Sequence, residues 1–303
     1  MGPGDSEPFR RSRIQLYSRL KLKNIFPGEW QSIYTGDGIE FTGIKPFEPG
    51  DDLRDLDLYA LVRSGQEEII ERSAGRQLRV FIWADLSGSM QKSKEAFFSN
   101  KREIRDNAIG MLAFSAWNAY SPVGLCGFDA EIRKFFPARP GESYCQEVMD
   151  WLLDQEYAGP VPTDIPKAMA FLFERVFPQS LVFFISDFQD PLFERDFSDL
   201  IKPAAEKFDF IPVVIRDPLE TDIPLPRSAI LSLGGDEGGR NRTIHLTPRK
   251  LREIREASSR HLSHLERNFR QAGVNHVILK SPSLEHCYDA LSGLFQARQR
   301  APL

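Results

Sequence analysis

The sequence predicts an α/β fold, a doubly wound and mostly parallel sheet with a small strand-and-turn extension on its N-terminal side. Two observations carry this. Short β-branched and aromatic runs such as VFIWA (80–84) and LVFFI (181–185) have the composition of strands buried on both faces. Helical patterns of ten or more residues separate such runs, which is the spacing that crossovers between parallel strands require. Strand 78–85 is expected first, then a helix over about 95–120, where Ile104, Ala108, Met111, Leu112 and Ser115 recur on one face. Strand-like 123–128 and 132–136 precede helices over about 144–155 and 165–177. Strand 181–187, a helix near 193–206 and strand 210–216 follow. A turn-rich section, 217–242, holds the cluster GGDEGG and leads to a helix over about 248–272, strand 274–280 and helix 284–297.

The beginning of the chain reads differently. Residues 1–9 are rich in Gly, Pro and acids and are expected to be a disordered tail. From 10 to 76 the pattern is an irregular extension with glycine turns at TGDGIEF (35–41) and PGDD (49–52), and the sheet domain is expected over 77–303. A length of 303 residues is enough to bury a substantial core. The net charge of -4 gives no overall pull toward nucleic acid or anionic lipid, so partners have to be argued locally. The apolar runs are too short to span a bilayer and the polar opening lacks the apolar core of a secretory signal, so no membrane insertion and a cytoplasmic location are expected. Cys126, Cys145 and Cys287 are odd in number and far apart, which points to reduced thiols rather than a disulfide framework or a thiolate zinc site.

The residues that carry chemistry start at the end of the first strand. LRVFIWADLSGSM closes an apolar run on the spacing Asp-x-Ser-x-Ser: Asp85, Ser87 and Ser89. That triplet is common by itself, and its context raises it. Thr163 lies in the loop that opens a helix and Asp187 ends another strand, and in a doubly wound sheet these loops can converge on one edge. Five oxygen-bearing side chains then face one hard cation, Mg²⁺ with Mn²⁺ or Ca²⁺ as substitutes, because no His or Cys joins the set. Three hydroxyls with two carboxylates leave such an ion electrophilic toward an outside anion. Each residue also has a plain structural reading: Ser87 and Ser89 as helix caps, Thr163 and Asp164 as an N-cap and first-turn acid, and Asp187 as a loop acid paired with a surface arginine.

These residues resemble a metal-ion-dependent adhesion site of the von Willebrand factor type A (vWA) fold: Asp85, Ser87 and Ser89 its triplet, Thr163 its distant threonine, Asp187 its second aspartate. Upstream, GDGIEF (36–41) and FEPGDDLRDLDLYALVRSG (47–65) resemble the signature of the domain of unknown function 58 family, which places such a segment before a vWA-like, Rossmannoid domain. Leu56, Asp57 and Leu58 stand where that family usually has Ile-Asp-Trp, and many members carry N-terminal membrane helices that are not found here. The resemblance implies a partner, a MoxR-type AAA+ ATPase or its client. It also implies a chaperone-like role in protein maturation or metal loading, methanol dehydrogenase among the clients.

The expected function is therefore a non-enzymatic interaction module that uses Mg²⁺ to capture an acidic residue of its partner. No nucleotide-binding Gly-x-x-x-x-Gly-Lys-Ser/Thr sequence occurs, and the site loops offer no obvious general base. The alternative is a metal-dependent phosphoesterase on the same fold class, although phosphatases of the haloacid dehalogenase kind need a second acid where this chain has Ser87. Asp51, Asp52, Arg54 and Asp57 read either as a partner-binding motif or as a turn followed by a solvated, salt-bridged segment. The basic surplus on the helix from Pro248, and His261 with His264, read as solvated surface.

Overall fold

The computed structural model describes residues 39–46, 68–74, 78–90, 100–119, 121–155, 161–216, 229–233 and 242–300. The chain divides into two compact units, Gly28–Leu78 being the smaller. In that unit β1 (Ile39–Pro46) pairs antiparallel with β2 (Glu68–Ala74), with a register shift between Phe41 and Gly43. The four residues expected to bind a partner, Asp51, Asp52, Arg54 and Asp57, lie outside the described residues.

The larger unit holds the doubly wound sheet that the sequence predicts. Its strands are β3 (Val80–Asp85), β4 (Val123–Phe128), β5 (Ile132–Arg139), β6 (Leu181–Ser186), β7 (Asp209–Ile215) and β10 (Val277–Leu279), in the order β10-β7-β6-β3-β4-β5. All neighbours are parallel except β5, which runs antiparallel at the edge beside β4. An edge position also explains how β5 tolerates Pro137, which has no N–H for a second neighbour. The helices are α1 (Lys101–Asn118), α2 (Glu142–Leu153), α3 (Ile165–Arg175), α4 (Pro191–Lys207), α5 (Pro248–Gln271) and α6 (Leu284–Arg300).

Strand alternation sorts the core into two layers. Phe81, Trp83, Val182 and Phe184 pack with residues of α3, α4 and α5, among them Met169, Phe193 and Phe269. On the other face Phe183 meets Phe295 of α6 edge-on at 6.3 Å, and α1 packs against α2 and α6. Most of the 23 phenylalanines are thus core, and all three cysteines are free and buried.

The described helix after β3 begins at Lys101, with Asn100 at its N-cap (φ -105°, ψ 10°), and the expected start near 95 lies outside the described residues. Two expectations need correction. Ala229–Leu233 (β8), inside the section read as turns, and Arg242–Leu246 (β9), which begins where that section ends, form an antiparallel pair. Five-residue strands bordered by Pro and Gly clusters are hidden by the turn composition around them. The last strand is only Val277–Leu279, because Val274 is drawn into the end of α5: its N–H donates to Phe269 O (2.9 Å) after Gly273 turns the chain at φ +69°.

Candidate metal centre

The strand order places a reversal at β3. The chain leaves β3 for β4 and β5 on one side and returns to β6 on the other, so the carboxyl ends of β3 and β6 flank the switch point of the sheet. Ala84 pairs with Ile185, which brings Asp85 beside the pair Ser186 and Asp187. Loop-to-loop bonds draw the rest of the edge together. Leu86 N donates to Phe128 O (2.6 Å), Gly88 N to Val161 O (2.8 Å) and Asp164 N to Asp129 O (3.1 Å). Asp190, the N-cap of α4, also accepts from Ile165 N at the start of α3 (2.8 Å).

All five residues expected from the sequence converge here. Ser87 N donates to Asp85 Oδ1 (2.8 Å), and Thr163 Oγ1 reaches Asp85 Oδ2 at 3.5 Å, near the limit of a hydrogen bond. The Ser87 and Ser89 hydroxyls are 3.2 Å apart, and Ser89 hydrogen-bonds Asp187. The plain structural readings hold in part. Asp164, not Thr163, caps α3 by accepting from Lys167 N (2.9 Å), Ser87 stands directly before the 3-10 turn Gly88–Met90, and Asn100 stands at the N-cap of α1. Asp187 pairs with buried Lys101 at 3.0 Å instead of a surface arginine.

Three further residues complete the cluster. Ser186 Oγ donates to Asp85 Oδ2 at 2.6 Å and accepts from Phe188 N at 2.9 Å. Arg105 Nη1 donates to the Asp85 carbonyl (3.1 Å) while its guanidinium is met by Asp106. Lys101 and Arg105 were legible in principle, because they are two basic residues on the same α1 stripe as buried Ile104, Ala108 and Leu112. Ser186 had a weaker signal, a hydroxyl ending an otherwise apolar strand. The floor of the site, Asp85, Ser186 and Asp187, is fully buried, whereas Thr163 is half-buried and Ser89 exposed, so the cluster opens on the Ser89 side.

Charge is distributed unevenly across it. Burial, and then the Asp187 carboxylate nearby, push the Asp85 carboxyl up to about 6 against the hydrogen bonds it accepts. Burial alone would also raise Asp187, but the Lys101 ammonium and hydrogen bonds from Lys101, Gln189 N and Ser89 outweigh it and hold that carboxyl below its ordinary value. The backbone is bent to suit: Phe188, directly after Asp187, sits at φ +54°, unusual for a bulky residue. Its ring is held by Phe184, Phe193 and Phe269 at 5.3 to 5.8 Å. Among the described residues no three His, Cys, Asp or Glu side chains form a metal-holding group, so the donors here are two carboxylates and hydroxyls.

Fold and cluster together define an α/β protein of the doubly wound class with an acid-and-hydroxyl site at its switch point. The chain belongs to the family described as protein of unknown function DUF58, whose sequence model matches residues 43–264. Uncharacterized proteins of Mycobacterium tuberculosis and Mycobacterium bovis are each 22% identical over 270 residues, covering 88% of this chain and 83% of theirs. Among solved structures, an aerotolerance-related membrane protein from Bacteroides fragilis is 15% identical, covering 74% of this chain and 100% of that one, with a TM-score of 0.44. The PilB minor pilin of Streptococcus sanguinis is 10% identical, covering 78% and 66%, with a TM-score of 0.43. Neither likeness bears on function. Among the described residues no helix is long and apolar enough to cross a membrane.

Proposed function

We propose that this chain is a non-catalytic interaction module of the vWA kind. In this reading Asp85, Ser87, Ser89, Thr163 and Asp187 hold one Mg²⁺, with Mn²⁺ or Ca²⁺ as substitutes, at an adhesion-type site. The partner is a MoxR-type AAA+ ATPase or its client in protein maturation or metal loading, methanol dehydrogenase being one candidate client. The observation that carries the reading is the joining of these five side chains from three loops in one hydrogen-bonded cluster at the switch point.

The residues fit a hard divalent ion. All donors are oxygens. Burial first, and repulsion from Asp187 second, raise Asp85, and a shared cation offsets both. Bound there, the ion supplies an electrophilic centre for a carboxylate from outside. The protein's own part is orientation. Ser186 and the Ser87 amide fix the two Asp85 oxygens, Lys101 and Gln189 N fix those of Asp187, and exposed Ser89 marks the open side. The phosphoesterase reading gains less support: the position two residues after Asp85 is Ser87, whose amide is committed to Asp85, and the residues at the cluster include no histidine.

The test is binding of the full chain to the MoxR-type ATPase of the same cell, in millimolar Mg²⁺ and in chelator, with wild type and Asp85→Ala. Metal-dependent affinity that is lost in the variant is expected. Equal affinity in chelator, or in a folded Asp85→Ala protein, would sink the metal-bridged mechanism. Turnover of a generic phosphoester by wild type and not by the variant would move the reading to the alternative.

A further inference from the structure

Lys101 sits where local rules disfavour it. It is the first residue of α1, at the positive end of the helix dipole, and it is 5% exposed. A buried cation at a helix N-terminus has two unfavourable terms, desolvation and the dipole, and neither is needed to build the helix. What offsets them lies across the site: Nζ donates to Asp187 Oδ2 at 3.0 Å, with the two side chains 6% and 1% exposed. The other basic residue on this stripe, Arg105, is met by Asp106 on its own helix. The ammonium of Lys101 is therefore directed at one of the two carboxylates of the cluster, in the manner of a cation ligand.

We propose that Lys101 is a tethered cation at the metal centre. It holds Asp187 in place before a divalent ion arrives and competes with that ion afterwards, so that occupancy is reversible. The inference rests on the cation reading given above and adds a regulatory element to it. The charge count gives the direction. Two carboxylates and one ammonium leave a single net negative charge to attract Mg²⁺, whereas the carboxylates alone supply two. Removing the ammonium strengthens cation binding while weakening the metal-free fold. A residue with a purely structural role would produce only the second effect.

The experiment is calorimetric Mg²⁺ titration of the full chain, with thermal unfolding in chelator and in Mg²⁺, for wild type, Lys101→Gln, Lys101→Met, Lys101→Arg and Asp85→Ala. Lys101→Gln keeps an N–H donor for Asp187 without the charge. It is expected to bind Mg²⁺ on the order of tenfold more tightly, to melt lower in chelator, and to gain more from Mg²⁺ than wild type does. Lys101→Met is expected to follow it, and Lys101→Arg to stay within about twofold of wild type, its charge being kept. Unchanged or weaker binding in Lys101→Gln, with wild-type binding that Asp85→Ala abolishes, overturns the tethered-cation inference alone. Absence of Mg²⁺ binding in every protein overturns the cation reading along with it. Should the neutral variants fold only with metal, refolding in stepped Mg²⁺ is the readout. Recovery below the wild-type half-saturation supports the proposal, and failure to recover at any concentration overturns it.

Discussion

Replacing Asp85 with asparagine in metal-free protein isolates the electrostatic tension at the site. The Asp85 carboxyl is fully buried and rises from an ordinary value of 3.8 to about 6, through burial first and the Asp187 charge second. At about 1.4 kcal/mol per pH unit, keeping it ionised in the fold costs about 3 kcal/mol relative to the unfolded chain. The sign follows from proton counting. Between those two values the folded protein holds more protons than the unfolded one, so stability is full below the unfolded value and falls as pH rises toward about 6. Asp85→Asn removes that loss. It returns about 1 kcal/mol of it through mismatched hydrogen bonds, because Ser186 and Thr163 both donate to an oxygen that one amide arrangement turns into a donor. In chelator, urea unfolding at about pH 7.5 should find the variant more stable than wild type by about 2 kcal/mol, with the order reversed by about 1 kcal/mol near pH 4, where only the mismatched hydrogen bonds remain. In millimolar Mg²⁺ the order should reverse, since only wild type gains from binding. A gap between the two proteins that is independent of pH in chelator would refute the reasoning.

Four further outcomes are expected from the fold. Gly124→Ala should lower stability by about 1–3 kcal/mol in urea, because a Cβ there falls 2.7 Å from the Phe81 ring and 2.9 Å from the Phe136 carbonyl oxygen, which backbone pairing holds in place. Gly293→Ala, in exposed helix with nothing within 4 Å, should raise it by about 1 kcal/mol in the same assay. Asp164→Ala removes the α3 cap and should cost about 1 kcal/mol. His276, half-buried against Phe269 at 5.3 Å, is held below its ordinary 6.5, chiefly by burial. The unfolded chain then takes up the proton first as pH falls, so this residue's contribution to stability declines below about 6.5. The difference between wild type and His276→Gln across that range checks it.

The sheet was legible because its strands are the kind periodicity reads well: short, β-branched, aromatic and bounded by turns. VFIWA and LVFFI became β3 and β6 with every residue buried. The five cluster residues were legible for a related reason. Each stands at an element boundary, where an acid or hydroxyl has no role in a core, and the doubly wound order brings those boundaries to one edge. Lys101 and Arg105 escaped because a basic residue in a helical pattern is ordinarily read as solvated, and only the register of α1 turns these two inward. The β8 and β9 pair escaped because turn residues dominate its surroundings. Asp164 shows the limit from the other side: it reads as a first-turn acid behind a Thr163 cap, and the hydrogen bond that Lys167 N donates to it makes Asp164 the cap.

Several departures from local preference fall close together. A lysine buried at a helix start, two carboxylates close enough for one to be raised by the other, and an aromatic residue at positive φ all fall around Asp85 and Asp187. Each is unfavourable alone, by about 1–3 kcal/mol for backbone strain of this kind. They persist because the surroundings leave little alternative. The Phe188 ring is packed on three aromatics, its N–H is taken by Ser186, and Ser186 in turn is bound to Asp85. The strained turn and the raised carboxyl are thus parts of one hydrogen-bonded unit and should respond together. A ligand that draws charge from Asp85 acts on Ser186, and through it on the turn that sets Asp187 against Lys101. Concentrated conflict of this sort is what a binding site produces and what a passive scaffold has no reason to keep. That favours a cluster built to meet a cation over one that merely closes the edge of a sheet.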